Sequence, residues 1–176
     1  MIFTDTQIKD LYIIEPVILT DERGSFIRSF CKEEFQKRGL ETNIVQCDIS
    51  FNKKKGTIRG MHYQVSPFEE AKIVSCSKGS IYDVVVDLRQ DSATYGQWVA
   101  TELCEKKFKM LYIPKGCAHG FQTLEENSVV YYQMGEYYHP ECSTGIRWND
   151  PAIGIAWEHP ITCISEKDQL YPDFIL

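Results

Sequence analysis

Side chains alternate over residues 81–88 in a way that restricts this chain to a β-rich fold. Asp83 and Asp87 share one face of an extended segment, and the apolar and aromatic side chains at the even positions share the other face. A two-residue period is typical of a β-strand. We therefore expect residues 81–88 to form a strand with one well-covered face.

Further strand-like runs recur between turn signals along the chain. Lys78-Gly79, between two of these runs, fits a tight hairpin turn. Residues 32–38, which end before Gly39, are the only convincingly helical segment. Many short strands with few helices predict a sandwich or a barrel. The strand-like runs cover residues 12–19, 25–30, 72–77, 80–88, 98–103, 109–113, 120–123 and 128–134.

The length and composition of the chain predict one globular domain spanning residues 1–176. A chain of 176 residues with 43% hydrophobic side chains can bury a full core. The N-terminus has no basic stretch followed by an apolar run, and no segment approaches the roughly 20 apolar residues of a membrane span. We expect a cytoplasmic protein without a membrane partner. Residues 160–176 are loop-like in composition and are expected to pack across the mouth of the barrel.

The charge and the cysteines exclude several classes of protein. A net charge of −6 argues against a nucleic-acid surface, which needs clustered Lys and Arg. The only basic cluster, residues 53–55, precedes Gly56 and is typical of a solvated turn. A nucleotide diphosphate needs only a few well-placed cations and stays compatible with an acidic protein. Seven dispersed cysteines without a C-x-x-C pair indicate reduced thiols rather than disulfides or a zinc site.

A histidine between two cations carries the strongest functional signal. His62 follows Arg59 and precedes Lys72. Histidine changes its protonation near neutral pH, and flanking cations can hold an anionic substrate while the imidazole removes a proton from it. This trio indicates an enzyme.

Four motifs together resemble the dTDP-4-dehydrorhamnose 3,5-epimerase family of the cupin superfold. They are residues 59–64, Ala71-Lys72, residues 116–121 and residues 148–151, and the resemblance runs from about residue 12 to residue 168. It implies a mainly β fold, a double-stranded β-helix or jelly-roll barrel of the cupin type with a few short helices. It also implies a homodimer in which an N-terminal strand, within residues 1–20, pairs across subunits.

The resemblance implies epimerisation of a nucleotide-diphosphate 4-keto-6-deoxy sugar. The ketone makes the hydrogens at C3 and C5 acidic, because the resulting carbanion delocalises onto O4 as an enolate. His62 matches the base, Tyr132 matches the acid on the opposite face of the sugar, and Asp168 matches the carboxylate that orients the base. Lys72 places positive charge near O4. The ketone itself is the electron sink, so no cofactor is expected.

Substrate contacts are implied in the same way. Arg23 and Arg59 match ligands of the diphosphate, and Phe26 matches an aromatic residue lining the sugar or base pocket. His119 and Tyr138 match positions around the sugar. The expected substrate-binding residues are Arg23, Phe26, Arg28, Gln46, Asp48, Arg59, His119, Tyr138, Ser143 and Lys167.

Three of these positions depart from the family pattern. Family members generally have Glu where this chain has Arg28, Asn where it has Asp48, and Glu where it has Ser143. The resemblance assigns these positions to the part of the site that reads the nucleotide. An acceptor-only Asp48 favours a donor-rich base such as cytosine or guanine. An ion pair between Arg28 and Asp48 would instead leave thymine recognition to other groups.

Several other functions stay open. One is a single-centre epimerase acting at C3 or C5, including one that takes a CDP- or GDP-linked sugar; another is a cupin ketoisomerase. A non-catalytic sugar-nucleotide-binding cupin would be expected to lack the base, the acid or the carboxylate, and this chain has all three. A metal-dependent oxygenase needs several converging ligands, but His62 is followed by Tyr63 and Gln64 instead of a second histidine. We therefore expect no metal ion.

Overall fold

The computed structural model describes residues 1–175 and contains thirteen strands and two short helices in that range. The strands are short, as the sequence predicts. In chain order the elements are β1 (Ile2–Asp5), β2 (Tyr12–Glu15), β3 (Ile18–Asp21), β4 (Gly24–Ile27), α1 (Lys32–Gln36), β5 (Gln46–Asn52), β6 (Ile58–Gln64), β7 (Lys72–Lys78), β8 (Ser80–Asp87), β9 (Trp98–Cys104), β10 (Met110–Ile113), β11 (Cys117–Thr123), β12 (Ser128–Met134), β13 (Ser143–Gly145) and α2 (Glu166–Gln169).

Two antiparallel sheets face each other and form a jelly-roll barrel. The six-stranded sheet has the order β1-β2-β10-β7-β12-β5, and the five-stranded sheet has the order β13-β6-β11-β8-β9. Strands β3 and β4 form a separate two-stranded hairpin. Many short antiparallel strands with few helices are characteristic of such barrels. The predicted mainly β fold is therefore confirmed.

The hydrophobic core fills the space between the two sheets. The six-stranded sheet contributes side chains such as Val74 and Val130, and the five-stranded sheet contributes Val85 and Phe121. A second cluster, centred on the fully buried Phe35 of α1, covers the outer face of the six-stranded sheet. A third cluster covers the outer face of the five-stranded sheet. Both faces of the central strands are consequently buried.

Strand β8 has both faces covered, whereas the sequence predicts one covered face. Val84 and Val86 pack into the outer cluster, and Val85 packs into the core between the sheets. Asp83 and Asp87 lie on the same inward face as Val85, and both are fully buried. Their burial is possible because each carboxylate has hydrogen-bond donors nearby.

The predicted hairpin turn at Lys78-Gly79 is wrong. Strand β7 pairs with β10 and β12, whereas β8 pairs with β9 and β11, so the chain passes from one sheet to the other at this point. Gly79 has a φ of 75°, a left-handed conformation that glycine adopts without steric strain. The glycine marks a sharp bend, as predicted, but the bend joins two sheets.

The C-terminal segment differs in part from its predicted conformation, and the N-terminal strand β1 is an edge strand of the six-stranded sheet. Strand β1 pairs with β2 of the same chain. The C-terminal segment, predicted to be loop-like, contains α2, and Ser165 caps this helix by accepting a hydrogen bond from the Asp168 amide. Neither helix within residues 1–175 is long and apolar enough to cross a membrane.

A hydrogen-bond network around Asp87 fixes the loop that follows β8. Its carboxylate accepts hydrogen bonds from Arg89 Nε at 2.8 Å, Ser92 Oγ at 2.6 Å and Thr94 Oγ1 at 2.7 Å. Burial opposes ionisation, but these donors outweigh it and lower the pKa of Asp87 to about 2. The ionised carboxylate therefore stabilises the folded state.

We predict that Asp87→Asn lowers the free energy of unfolding at pH 7 by about 2 kcal/mol. Because the folded-state pKa lies below the unfolded one, this stabilisation is present above about pH 4 and is lost as the pH falls toward 2. Urea unfolding of wild type and variant should show their difference shrinking over that range. Asp91→Asn, an exposed carboxylate in the same loop, is the control and should change little. Equal stabilities of wild type and Asp87→Asn at pH 7 would contradict the assignment.

Candidate active site

A cavity of about 360 Å³ opens between the two sheets. Strands β5, β7 and β12 form one wall, and strands β6 and β11 form the facing wall. Most of the expected site residues meet there, together with several that the sequence did not single out. The lining residues are Gln46, Asp48, Ser50, Arg59, His62, Tyr63, Gln64, Glu70, Lys72, His119, Phe121, Tyr132, Met134, Tyr138, Ser143 and Lys167.

His62 and Asp168 form a hydrogen-bonded pair. His62 Nε2 lies 2.7 Å from Asp168 Oδ1, and the backbone amide of Gly60 donates to Asp168 Oδ2 at 3.2 Å. Burial disfavours the charged carboxylate, but the hydrogen bonds from His62 and Gly60 outweigh it and lower the pKa of Asp168. An ionised carboxylate at Nε2 leaves Nδ1 of the imidazole available for proton transfer.

Tyr132 belongs to the opposite sheet from His62. It lies on β12, contacts the core between the sheets, and has its ring edge against the ring of His119 at 6.1 Å between centroids. Burial and the nearby charge of Asp83 raise the pKa of Tyr132, while Arg59 opposes this change. The phenol is therefore protonated at neutral pH and can donate a proton.

His119 is paired with an aspartate that the sequence interpretation did not assign to the site. The two carboxylate oxygens of Asp83 lie 3.0 and 2.9 Å from His119 Nε2, and both side chains are buried. Burial raises the pKa of Asp83, and the nearby His119 and Lys72 oppose that rise. The two-residue alternation of β8 places Asp83 on one defined face of the strand. An aspartate on that face was the sequence feature that could have identified Asp83 as a site residue.

Lys72 is also paired with an acid that the sequence interpretation missed. Its Nζ lies 2.6 Å from Glu70 Oε1, and both side chains are almost fully buried. Glu70 precedes the start of β7 by two residues and has no sequence pattern that would identify it as a site residue. The pair holds the ammonium group in the cavity wall, where its orientation is restricted.

Arg59 and Lys167 supply the remaining positive charge of the cavity. Arg59 Nε donates to Asn52 Oδ1 at 2.8 Å, which orients the guanidinium group. Lys167 reaches the cavity from α2, next to Asp168 in the sequence. Two cations that line one cavity can bind a diphosphate.

Asp48 lies opposite Tyr132 in the strand register. The two residues are direct cross-strand partners on β5 and β12, and such partners have neighbouring side chains. Asp48 Oδ2 accepts a hydrogen bond from Gln46 Nε2 at 2.7 Å, and Gln46 Oε1 accepts one from the Tyr138 amide at 3.3 Å. Asp48 is therefore beside the predicted acid. Ser143, on β13, lines the cavity as well.

Three expected substrate ligands lie outside this cavity. Arg23 and Phe26 are on the β3–β4 hairpin. The side chain of Arg23 is 85% exposed, and Phe26 as a whole residue is 73% exposed. Arg28 pairs with Glu34 of α1 at 3.6 Å, so the proposed ion pair with Asp48 does not form. The hairpin joins neither sheet, and none of these three side chains lines the cavity.

The acidic and imidazole groups are arranged in pairs. Within residues 1–175, no three His, Cys, Asp or Glu side chains are grouped so as to hold a metal ion. His62 pairs with Asp168 and His119 pairs with Asp83. The arrangement places an imidazole and a phenol on facing walls, with an ammonium group and a second imidazole between the sheets, which suits acid–base chemistry on both sides of a bound molecule.

Comparison with known proteins agrees with this arrangement. A sequence model of the dTDP-4-dehydrorhamnose 3,5-epimerase family matches residues 5–175. The chain is 42% identical over 170 residues to dTDP-4-dehydrorhamnose 3,5-epimerase of Methanothermobacter thermautotrophicus, covering 95% of this chain and 91% of that protein.

Two solved structures extend the similarity to the fold. The crystal structure of dTDP-4-dehydrorhamnose 3,5-epimerase from Elizabethkingia anophelis has a TM-score of 0.95 and 38% identity, covering 99% of this chain and 96% of that one. An epimerase from Legionella pneumophila, in complex with dTDP-4-keto-L-rhamnose, has a TM-score of 0.89 and 40% identity, covering 94% and 88%. Sequence and fold agree over nearly the full length, and the chain belongs to the dTDP-4-dehydrorhamnose 3,5-epimerase family.

Proposed function

We propose that this protein is an isomerase that inverts C3 and C5 of dTDP-4-dehydro-6-deoxyglucose to give dTDP-4-dehydrorhamnose. Membership of the family supports the activity. The observation that carries the proposal is the Asp168-bound imidazole of His62 facing the buried phenol of Tyr132 from the opposite sheet. Inversion needs a base on one face of the sugar and an acid on the other, and these two groups meet that need.

His62 Nδ1 removes the proton from C3 or C5 in the proposed first step. The C–H electron pair moves into the ring and onto O4, giving an enolate. The imidazolium that forms is stabilised by Asp168, whose lowered pKa keeps it ionised at neutral pH. Lys72, held by Glu70 in the cavity wall, offers positive charge to the developing oxyanion.

Tyr132 returns a proton to the opposite face in the second step. Its raised pKa keeps the phenol protonated, so it acts as a donor toward the enolate carbon. The ketone re-forms and the centre is inverted. One base and one acid serve both carbons. The imidazolium therefore loses its proton to solvent and the tyrosinate regains one before the ring turns in the cavity and the second centre reacts.

We also propose a homodimer in which the hairpin of one chain completes the cavity of the other. Arg59 and Lys167 are the cations left for the diphosphate, because Lys72 is paired with Glu70. Arg23 is exposed on the hairpin and would add a third cation from a second copy. The outward face of β5 supports such association, since Ile49 is 71% exposed and Phe51 is also exposed beside it.

Solvent hydrogen exchange at C3 and C5 of the sugar distinguishes the alternative functions from the proposed one. A single-centre epimerase would exchange hydrogen at C3 or C5 only, and a non-catalytic binding protein would exchange neither. An enzyme with another nucleotide would act on CDP- or GDP-linked 4-keto sugars in preference to the dTDP-linked one. The cytoplasmic location, the single domain over residues 1–176 and the independence from metals and cofactors stay predictions.

His62→Asn should reduce solvent exchange at both C3 and C5 by about 10²–10⁴-fold, the contribution of a general base. The measurement is proton NMR of dTDP-4-keto-6-deoxyglucose with enzyme in deuterated water, with each position followed separately. His159→Asn, the same substitution outside the cavity, is the control and should exchange at the wild-type rate. Wild-type exchange in His62→Asn would refute the assigned base.

Tyr132→Phe should separate proton removal from inversion. His62 still abstracts and returns the proton on its own face, so exchange persists while formation of the inverted product falls by about 10²-fold or more. Tyr131→Phe is the matched control, because Tyr131 is the neighbouring residue on the other face of β12 and does not line the cavity. Equal loss of inversion in the two variants would remove Tyr132 from the acid role.

Mixed dimers should test the contribution of Arg23 from a second copy. Arg23→Ala and His62→Asn chains are each expected to be poorly active, but a random mixture should recover about a quarter of wild-type activity, because half of the dimers then hold one complete site. A mixture of His62→Asn with Asp168→Asn is the control and should recover nothing, since both residues act within one chain. Absence of recovery in the first mixture would contradict the shared site.

A further inference from the structure

The inner face of the five-stranded sheet leaves an open place beside His62. In the strand register, His62 has His119 of β11 as its partner on one side and Gly145 of β13 on the other. Direct cross-strand partners project side chains to the same face. Gly145 has no side chain, so β13 leaves one side of the imidazole uncovered.

The ring of Tyr171 occupies this place. A Cβ atom added at Gly145 would lie 2.5 Å from Tyr171 Cε2 and 2.7 Å from Tyr171 Cζ, which shows that the ring lies directly over the glycine. The rings of His62 and Tyr171 meet edge to face, with centroids 6.0 Å apart and an interplanar angle of 68°. A residue from beyond α2 therefore supplies the neighbour that the sheet itself does not.

The ring of Tyr171 makes this contact, and its hydroxyl lies close to the ammonium group of Lys167, which opposes the rise that burial causes in the pKa of Tyr171. The hydroxyl oxygen is buried and has no hydrogen-bond partner within residues 1–175. A buried hydroxyl without a partner does not stabilise the fold. The aromatic ring is the part of the side chain that contacts His62 and covers Gly145.

The imidazole needs such a neighbour because one hydrogen bond does not fix its orientation. Asp168 holds Nε2, but the His62 side chain is 40% exposed on the cavity side. Without the Tyr171 ring, the imidazole could rotate over Gly145 and turn Nδ1 away from the cavity. We propose that Tyr171 is a positioning residue, whose ring confines the His62 imidazole so that Nδ1 faces the cavity while Nε2 stays on Asp168.

This inference rests on the proposed function for its catalytic consequence, but it can be tested without substrate. Nitrogen-15 NMR of the imidazoles reports which ring nitrogen carries the proton, and the four histidines can be assigned with single His→Asn variants. In wild type and in Tyr171→Phe, His62 should show one tautomer, protonated at Nε2. In Tyr171→Ala, it should show a mixture of tautomers or an exchange-broadened signal.

Phe174→Ala is the matched control. Phe174 lies on the same C-terminal segment and packs against Tyr95 and the outer cluster, away from His62. It should keep the single His62 tautomer. A tautomer mixture in Phe174→Ala equal to that in Tyr171→Ala would show that attachment of the segment matters and not the ring, and would overturn the inference. Tyr171→Leu keeps apolar volume for folding, and a wild-type spectrum in that variant would overturn it as well.

The second part of the test uses substrate and measures hydrogen exchange at its C3 and C5. Tyr171→Ala should lower kcat about tenfold with KM little changed, and Tyr171→Phe should restore the wild-type kcat. Unchanged kcat and tautomer in Tyr171→Ala would reject the positioning role while leaving the proposed epimerase intact. If wild type shows no exchange, the epimerase proposal fails, and the tautomer spectra still decide the role of Tyr171.

Discussion

The hydrogen bond between His62 and Asp168 joins segments that are 106 residues apart in the sequence, and the rest of the site depends on it. Asp168 belongs to a four-residue helix that has little stability of its own. The helix is held because Asp168 also accepts from the Gly60 amide, and because Ser165 caps it. Fold and chemistry are coupled here, since the contact that fixes the C-terminal segment also orients the proposed base.

The space between the sheets is divided into an apolar part and a polar part. Phe121 and Tyr132 contact both, because they belong to the core and also line the cavity. An apolar wall next to the cavity excludes water and lowers the local dielectric constant, which strengthens the interactions of Lys72 and His119 with a developing negative charge. Each of these groups is held by an acid, Glu70 or Asp83, so neither needs to reorient during the reaction.

The sequence predicted those strands that contain a run of apolar and aromatic side chains, such as β8, β10 and β12. It did not predict β5, because in that strand the polar residues face the cavity and the apolar Ile49 and Phe51 face outward. This inverted alternation hides the usual signal of a half-buried strand. The motif around His62 identified the candidate base, whereas Glu70 and Tyr171 reach the site through tertiary contacts that no local pattern encodes.

The position of Asp48 bears on which nucleotide base the site recognises. Asp48 stands where the family generally has Asn, which suggested that it recognises a base rich in hydrogen-bond donors. The strand register, however, places Asp48 beside Tyr132. Burial is the main cause of the raised pKa of Tyr132, the proposed acid; the charges of Asp83 and Asp48 raise this pKa further, and Arg59 lowers it. In the proposed mechanism, Asp48 lies at the end of the cavity where the proton is transferred, and its charge disfavours the tyrosinate. In the proposed homodimer, the exposed β3–β4 hairpin of the second copy adds further residues from which recognition of the base can come.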